Sequence, residues 1–367
     1  MPNTTETGAD IDVDIPAIDI PVIDLAAALA DDAPAELLAT VRRAAESIGI
    51  IQIVNHGVPT DVIKDFNEGF GRVLDLPRAE KEKLASPTGH PYRGWRQWPD
   101  DFGRLELERF NIAQYDDAGA AEAAGLSPEH ATLFAHPNVW PPQEPGLRAA
   151  THRYHDAYLD VARRVLALYA RVLDVPATTF PLGDDVYTTI VVNDYPKWPH
   201  GGEERDGERA SGSGTAETPD EDKLLLLEHA DSSALTVLHQ EGDHAGLQGQ
   251  RPDGSWVPVP IRPDALQVFT GTLLTNWTEG RLRPGRHRVV AGGSVTRRSS
   301  AVFVHPGLDT VVEPLPPFAD PDGSDYEPVS VWERAQGNVE EYLRVFGRPE
   351  QLEAWRENRP YVAEVTA

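Results

Sequence analysis

Two stretches of the sequence place a histidine two residues before an acid, His229-Ala230-Asp231 and His239-Gln240-Glu241. On a β-strand, residues i and i+2 point to the same side, so either pair offers an imidazole and a carboxylate to one ion. A second histidine would complete the two-His, one-carboxylate face that holds iron(II) and leaves positions open for oxygen chemistry. The pattern is short: 12 histidines and 59 acids in 367 positions give about two such matches by chance, and two occur. Context separates them. His229 follows the apolar run LLLLE, which reads as a buried strand bringing its end into a barrel mouth. Glu241 sits in the polar run QEGDH, so His239 and Glu241 read as a strand end and a surface turn. The third ligand must come from far along the chain. His287, which opens the strand HRVV, is the candidate.

Support for His287 comes from the segment after it, Arg297-Arg298-Ser299-Ser300. An Arg and a Ser two apart on a strand share a face and together clamp a carboxylate, the Arg through paired N–H donors and the Ser through its hydroxyl. The distal end of a dicarboxylate co-substrate such as 2-oxoglutarate needs such a clamp. Both Arg297/Ser299 and Arg298/Ser300 fit it.

Composition narrows the chemistry further. There is no cysteine, so disulfides, thiolate metal sites, iron–sulfur clusters and cysteine nucleophiles are excluded. A formal net charge of -26 disfavours nucleic acid and anionic membranes as partners and leaves a small-molecule substrate. No apolar run is long enough to span a membrane and the start has no signal-peptide pattern, so a cytoplasmic protein is expected.

Residues 1–17 read as a disordered tail and 18–180 as an N-terminal helical, α/β region. That region holds short strands in IPVIDL and IIQIVNHGV and helices over 35–49, 60–75 and 144–175. After Pro181 short strands arrive about every ten residues: TTIVVNDY, LLLLEHA, SALTVLHQ, GLQGQ, SWVPVPI, ALQVFT, TLLTNWT, HRVVAG and SSAVFVHP. The cadence predicts an all-β barrel or sandwich, here a jelly-roll core over 181–315. Residues 200–222, rich in Gly, Ser and acids, read as a flexible surface insertion just before His229, with a lid as the functional alternative. Residues 316–367 read as C-terminal helices broken near Gly347-Arg348-Pro349.

In order, HADSSALTVLHQ, GLQ, SWVPV, HRVV and RRSSAVFVHP resemble the C-terminal half of the iron(II)/2-oxoglutarate-dependent dioxygenases, and more narrowly their isopenicillin N synthase-like branch. IPVIDL and IIQIVNHGV resemble that branch's leading segment, so the likeness spans roughly residues 20–310. The resemblance implies a mainly β fold, a double-stranded β-helix (jelly-roll, cupin-like) core with flanking helices. It implies iron(II) on His229, Asp231 and His287, with 2-oxoglutarate and O2 as co-substrates. Family members place the clamp serine seven residues before the proline closing the strand, which selects Arg297 and Ser299. Asn193 and Tyr195 match the family's Asn-x-Tyr-Pro strand, whose side chains help hold the co-substrate. Tyr195 also reads as a core aromatic. His56 belongs to a structural Asn-His-Gly turn, and His152 and His155, with no acid partner apparent, read as surface or packing residues.

The family's substrate pocket lies among the N-terminal segments and the barrel mouth. Arg93, Trp95, Glu108, Phe110 and Phe303 are its candidates here, each reading more readily as packing than as contact, with Arg93 able to pair with a substrate carboxylate. Retention of Asp231 favours hydroxylation, desaturation or ring formation over halogenation. Two departures stand out: the 200–222 insertion, and Thr272 where many relatives have Asp after Gly271. The expected activity is oxidation of an unactivated C–H bond of a small molecule in specialised metabolism. Two rivals remain, an iron oxidase that does not consume 2-oxoglutarate and a non-catalytic jelly-roll binding protein.

Overall fold

The computed structural model describes residues 20–99, 105–195, 224–242, 246–291 and 296–357. The tail 1–17 and the acidic insertion 200–222 lie outside the described residues. The chain opens with strand β1 (Val22–Asp24), helices α1 (Leu25–Leu29) and α2 (Ala35–Ser47), strand β2 (Ile50–Val54) and helices α3 (Thr60–Leu74) and α4 (Arg78–Glu82). Strands β3 (Gly94–Pro99) and β4 (Leu105–Ala113) follow, then short helices α5 (Ala118–Ala123) and α6 (Pro128–Ala131) and the long helix α7 (Leu147–Val172). The β-rich half holds β5 (Val186–Tyr195), β6 (Leu224–His229), β7 (Leu235–Glu241), β8 (Leu247–Gln250), β9 (Trp256–Pro258) and β10 (Leu266–Thr270). Helix α8 (Thr272–Trp277), β11 (His287–Val290) and β12 (Arg297–Gly307) come next, then β13 (Val311–Val312), β14 (Val329–Ser330), α9 (Val331–Phe346) and α10 (Pro349–Arg356).

Eight strands form one sheet in the order β1-β2-β10-β7-β12-β5-β4-β3, and β6-β11-β8-β9 form a second. These two sheets make the jelly-roll core expected from the strand cadence, with an α/β region before it and helices after it. Four of the large sheet's strands, β1 to β4, come from the N-terminal half. The β3–β4 pair was not anticipated. β4 joins β5 antiparallel, with Arg109 opposite Asn193 and Asn111 opposite Val191.

The outer face of the large sheet is covered by helices. Phe66 of α3 stacks on Tyr154 of α7 with ring centroids 3.8 Å apart, and Phe70 meets Phe110 of β4 at 5.1 Å. Helix ends follow local chemistry: Asp24 caps α1 by accepting from Ala27 N at 2.9 Å, and Ser330 caps α9 by accepting from Glu333 N.

One expected strand is a helix. TLLTNWT folds as α8, and all of Leu273 to Trp277 is buried. A short run buried on every side has no amphipathic period, so periodicity cannot separate strand from helix there. Glu241 is the exposed last residue of β7 rather than part of a turn, and His239 is buried with Nδ1 2.9 Å from Asn67 Nδ2. His56 is structural as expected: its carbonyl accepts from Arg164, between Asn55 and Gly57 at positive φ. His155 does have an acid beside it, Asp156 at 3.0 Å, and it also meets Thr188 at 2.8 Å.

Candidate active site

His229 and Asp231, two residues apart, converge with His287 from farther along the chain at the end of the smaller sheet. His229 ends β6, His287 begins β11, and the two residues face each other across the antiparallel pairing of those strands. Their rings lie with centroids 4.3 Å apart. Asp231 Oδ1 is 3.6 Å from His229 Nε2 and 3.9 Å from His287 Nε2. One donor atom from each residue lies within 4.8 Å of the other two, a separation suited to a single divalent ion.

The surrounding backbone sets the direction of each ligand. His229 Nδ1 donates to Leu227 O at 2.7 Å and His287 Nδ1 to Gly285 O at 2.9 Å, so both imidazoles turn Nε2 toward Asp231. Gly285 itself donates to Thr270 O, and a Cβ there would sit 2.6 Å from Gly49 O, so the loop bearing His287 is pressed onto the N-terminal region. Asp231 is held from the other side. The first amides of α8 donate to the loop after His229, Thr272 N to Asp231 O at 2.8 Å and Leu273 N to Ser233 O at 3.1 Å. That approach requires Gly271, where a Cβ would lie 1.9 Å from Ser233 O. Thr272 acts through its backbone here, while its hydroxyl accepts from Arg334. Burial, reinforced by His287 and opposed by Asp231, pulls the His229 pKa down to about 4. Its imidazole is therefore neutral at pH 7 and free to ligate.

Deeper in the barrel, Arg297 and Ser299 share a face of β12. Arg297 pairs with Tyr195 across to β5, and Ser299 with Asn193. The Arg297 guanidinium lies 4.6 Å from the Tyr195 ring centre and donates once, to Gln240 Oε1 at 3.0 Å. Its Nε and Nη1 are buried without a hydrogen-bond partner, and so is Asn193 Oδ1. Burial lowers the Arg297 pKa, with Tyr195 acting against the shift. An orphaned, desolvated guanidinium beside a serine hydroxyl is what an anionic carboxylate would complete. The residues present thus fit both iron(II) and a dicarboxylate.

The alternative pair faces the helices. Arg298 donates to Asp194 at 2.7 Å and to Asp75 at 2.5 Å, while Ser300 Oγ lies 2.9 Å from both Tyr154 Oη and Asn67 Oδ1.

A cavity of about 380 Å³ is lined by His229 and Asp231, and Phe303 and Arg93 are on its wall. Arg93, however, donates to the backbone carbonyls of Tyr92, Leu133 and His136, so its guanidinium organises those loops. Trp95, Glu108 and Phe110 do not line the cavity. They fall on the helix side of β3 and β4, where Glu108 accepts from Lys81 at 2.5 Å and from Trp95 at 3.0 Å. Sequence reasoning missed the residues of opposite parity, Arg109 and Asn111, and the wall from α9, including Asn338 and Tyr342. Asn338 also ties α9 to the metal loop, donating to Ser232 Oγ at 3.3 Å.

The chain matches two family models: the N-terminal region of non-haem dioxygenases in morphine synthesis over residues 20–143, and the 2OG-Fe(II) oxygenase superfamily over residues 187–306. It is 28% identical over 303 residues to a flavonol synthase/flavanone 3-hydroxylase of Eustoma exaltatum subsp. russellianum, covering 82% of this chain and 79% of that one. It is 29% identical to gibberellin 2-beta-dioxygenase 4 of Arabidopsis thaliana, covering 81% of this chain and 83% of the relative. Among solved structures, the Neurospora crassa T7H complex with alpha-KG superposes with a TM-score of 0.66 at 20% identity, covering 89% of this chain and 97% of that one. The rice dioxygenase for auxin oxidation gives 0.65 at 21%, covering 94% and 98%. At these identities the structural likeness speaks for the fold. The two models together match roughly two thirds of the residues, and the chain belongs to the Fe(II)/2-oxoglutarate-dependent dioxygenases, with iron(II) as cofactor and 2-oxoglutarate and O2 as co-substrates.

Proposed function

We propose that His229, Asp231 and His287 hold the iron, that Arg297 and Ser299 grip the far carboxylate of 2-oxoglutarate with Asn193 and Tyr195 beside them, and that the enzyme oxidises an unactivated C–H bond of a small molecule. The observation that carries this reading is the convergence of three donor atoms within 4.8 Å in a chain that also keeps an arginine with two unpartnered buried nitrogens. When bound, iron(II) with 2-oxoglutarate would let O2 act as the oxidant, taking two electrons from 2-oxoglutarate, which becomes succinate and carbon dioxide, and two from the substrate C–H bond. The chain's own residues turn two imidazole Nε2 atoms and one carboxylate toward one point, exclude water from the clamp and aim the substrate from the cavity wall. Residues 18–180 act as the wall-building N-terminal region, 181–315 as the core and 316–367 as the closing helices. The isopenicillin N synthase-like branch, a role in specialised metabolism and a cytoplasmic location complete the reading. It draws support from the flavonol synthase and gibberellin oxidase relatives and from a charge of -26 that disfavours nucleic acid. Turnover with substrate should form one succinate for each O2 consumed. Oxygen uptake without succinate would instead assign an iron oxidase of the isopenicillin N synthase type.

A further inference from the structure

The wall formed by β4 carries polar groups that neither the metal centre nor the co-substrate clamp uses. Arg109 and Asn111 are two apart on that strand and share the face turned to the cavity. Asn111 is only 2% exposed, and neither its Oδ1 nor its Nδ2 has a hydrogen-bond partner. Its neighbours in the adjoining strands are Val191 and Gly94, neither of which offers a side-chain partner. A buried carboxamide with both ends unmet, on the wall of a cavity beside a metal site, is a recognition group awaiting a ligand with one acceptor and one donor.

Arg109 decides the charge of that ligand. It lines the same cavity as His229 and Asp231, so its charge faces the space that a substrate would occupy. Arg93 adds a second fixed cation to the same lining. Among the described lining residues the only acids are Asp231, a proposed metal ligand, and Glu341, exposed on α9. A chain of net charge -26 has thus built a cavity whose inner wall is cationic, an inversion that an uncharged substrate would not need.

Resting on the oxygenase reading above, we infer that the substrate is a compact organic acid with an N–H or O–H donor close to its carboxylate, read by Arg109 and Asn111. The carboxylate sits against Arg109 and the Asn111 Nδ2, and the neighbouring donor meets the Asn111 Oδ1. Phe303, Leu133 and Val191 receive the apolar body. A volume of about 380 Å³, near the lower end for small-molecule pockets, keeps that body small.

The test uses the full chain loaded with iron(II) and saturating 2-oxoglutarate without oxygen, so that the clamp is occupied. Hippurate, which has a carboxylate, an adjacent amide N–H and one phenyl ring, is titrated by calorimetry alongside its methyl ester. Hippurate should bind at least about tenfold more tightly than the ester. Asn111→Val should weaken hippurate about tenfold while leaving the affinity for 2-oxoglutarate unchanged, and Arg109→Gln should remove the preference for acid over ester. If Arg109→Gln does not fold, Asn111→Asp serves instead, since a second negative charge should abolish hippurate binding. Equal or tighter binding of the ester, no measurable hippurate binding, or an unchanged preference in the variants overturns the inference. Failure of the protein to take up iron(II) and 2-oxoglutarate in the first step would instead overturn the oxygenase reading.

Discussion

Residues 297 to 300 read Arg-Arg-Ser-Ser, and the two Arg–Ser pairs within them have opposite fates. Arg298 and Ser300 point to the helices and are engaged there, the first by Asp194 and Asp75, the second by Tyr154 and Asn67. Arg297 and Ser299 point into the barrel, where Arg297 keeps two buried nitrogens without partners. Identical residue types one position apart therefore do different work because strand side chains alternate between faces. The satisfied face holds the sheet to its helices. The unsatisfied face carries an energetic deficit that a ligand can relieve, since a buried unmet donor costs about 1–3 kcal/mol.

The contrast can be attacked from either side. The largest effect is expected at the metal: Asp231→Ala leaves two imidazoles and no carboxylate to balance the ion's charge, so iron(II) binding and turnover should both be lost, as read by metal analysis after desalting. Next, Arg297→Gln should raise the KM for 2-oxoglutarate about a hundredfold, the scale of a charged hydrogen-bond pair losing one partner. Its melting temperature should change little, because few protein contacts depend on that guanidinium.

On the helix side the expected signature is stability with a pH dependence. Burial, with a smaller contribution from His56, depresses the His239 pKa to about 4 from 6.5. The unfolded chain therefore binds a proton on this residue between those values and the folded chain does not, so stability from neutral His239 is present above pH 6.5 and lost as pH falls toward 4. A His239→Gln variant lacks this loss, and relative to its deficit at pH 7.5 it should regain about 2 kcal/mol at pH 5 in paired denaturation curves. Asp194 has the opposite sign: burial, opposed by Arg298, raises its pKa to about 6, but it is present in both proteins and cancels in the difference. Smallest of all, Ser299→Ala should weaken 2-oxoglutarate about fivefold without affecting melting, whereas Ser300→Ala should cost about 1–2 kcal/mol of stability without affecting 2-oxoglutarate. If both serines behaved alike, the division between faces would fail.

Much of this was legible in the sequence because two of the candidate ligands are close neighbours in the chain, although Asp231 lies in the loop after β6 and not on the strand that the spacing suggested. The His-x-Asp spacing and an Arg-x-Ser after a second strand histidine pointed to residues that the fold brings within 4.8 Å, whereas the apolar run before His229 is not the buried strand expected, since Leu227 is exposed. Composition had already removed thiolate alternatives. Strand parity in the N-terminal half was not legible. In LELERFNIA the polar residues Arg109 and Asn111 look like a solvent face, yet they line the cavity, while Glu108 occupies the helix side and is accommodated there by Lys81 and Trp95. A strand whose polar side faces an internal cavity has the same alternation as one facing water. The burial of α8 hid its helical period for a related reason, and the wall supplied by α9 depends on tertiary placement that no local pattern encodes.

On the proposed reading, Arg297 is the co-substrate's partner and Arg298 is structural. Anaerobic titration of 2-oxoglutarate into iron(II)-loaded wild type, Arg297→Gln and Arg298→Gln, followed by the visible absorption of the chelate, separates them directly. Wild type and Arg298→Gln should saturate at one equivalent with matching affinity, and Arg297→Gln should bind about a hundredfold more weakly. Equal weakening of both variants, or an unaffected Arg297→Gln, would contradict it.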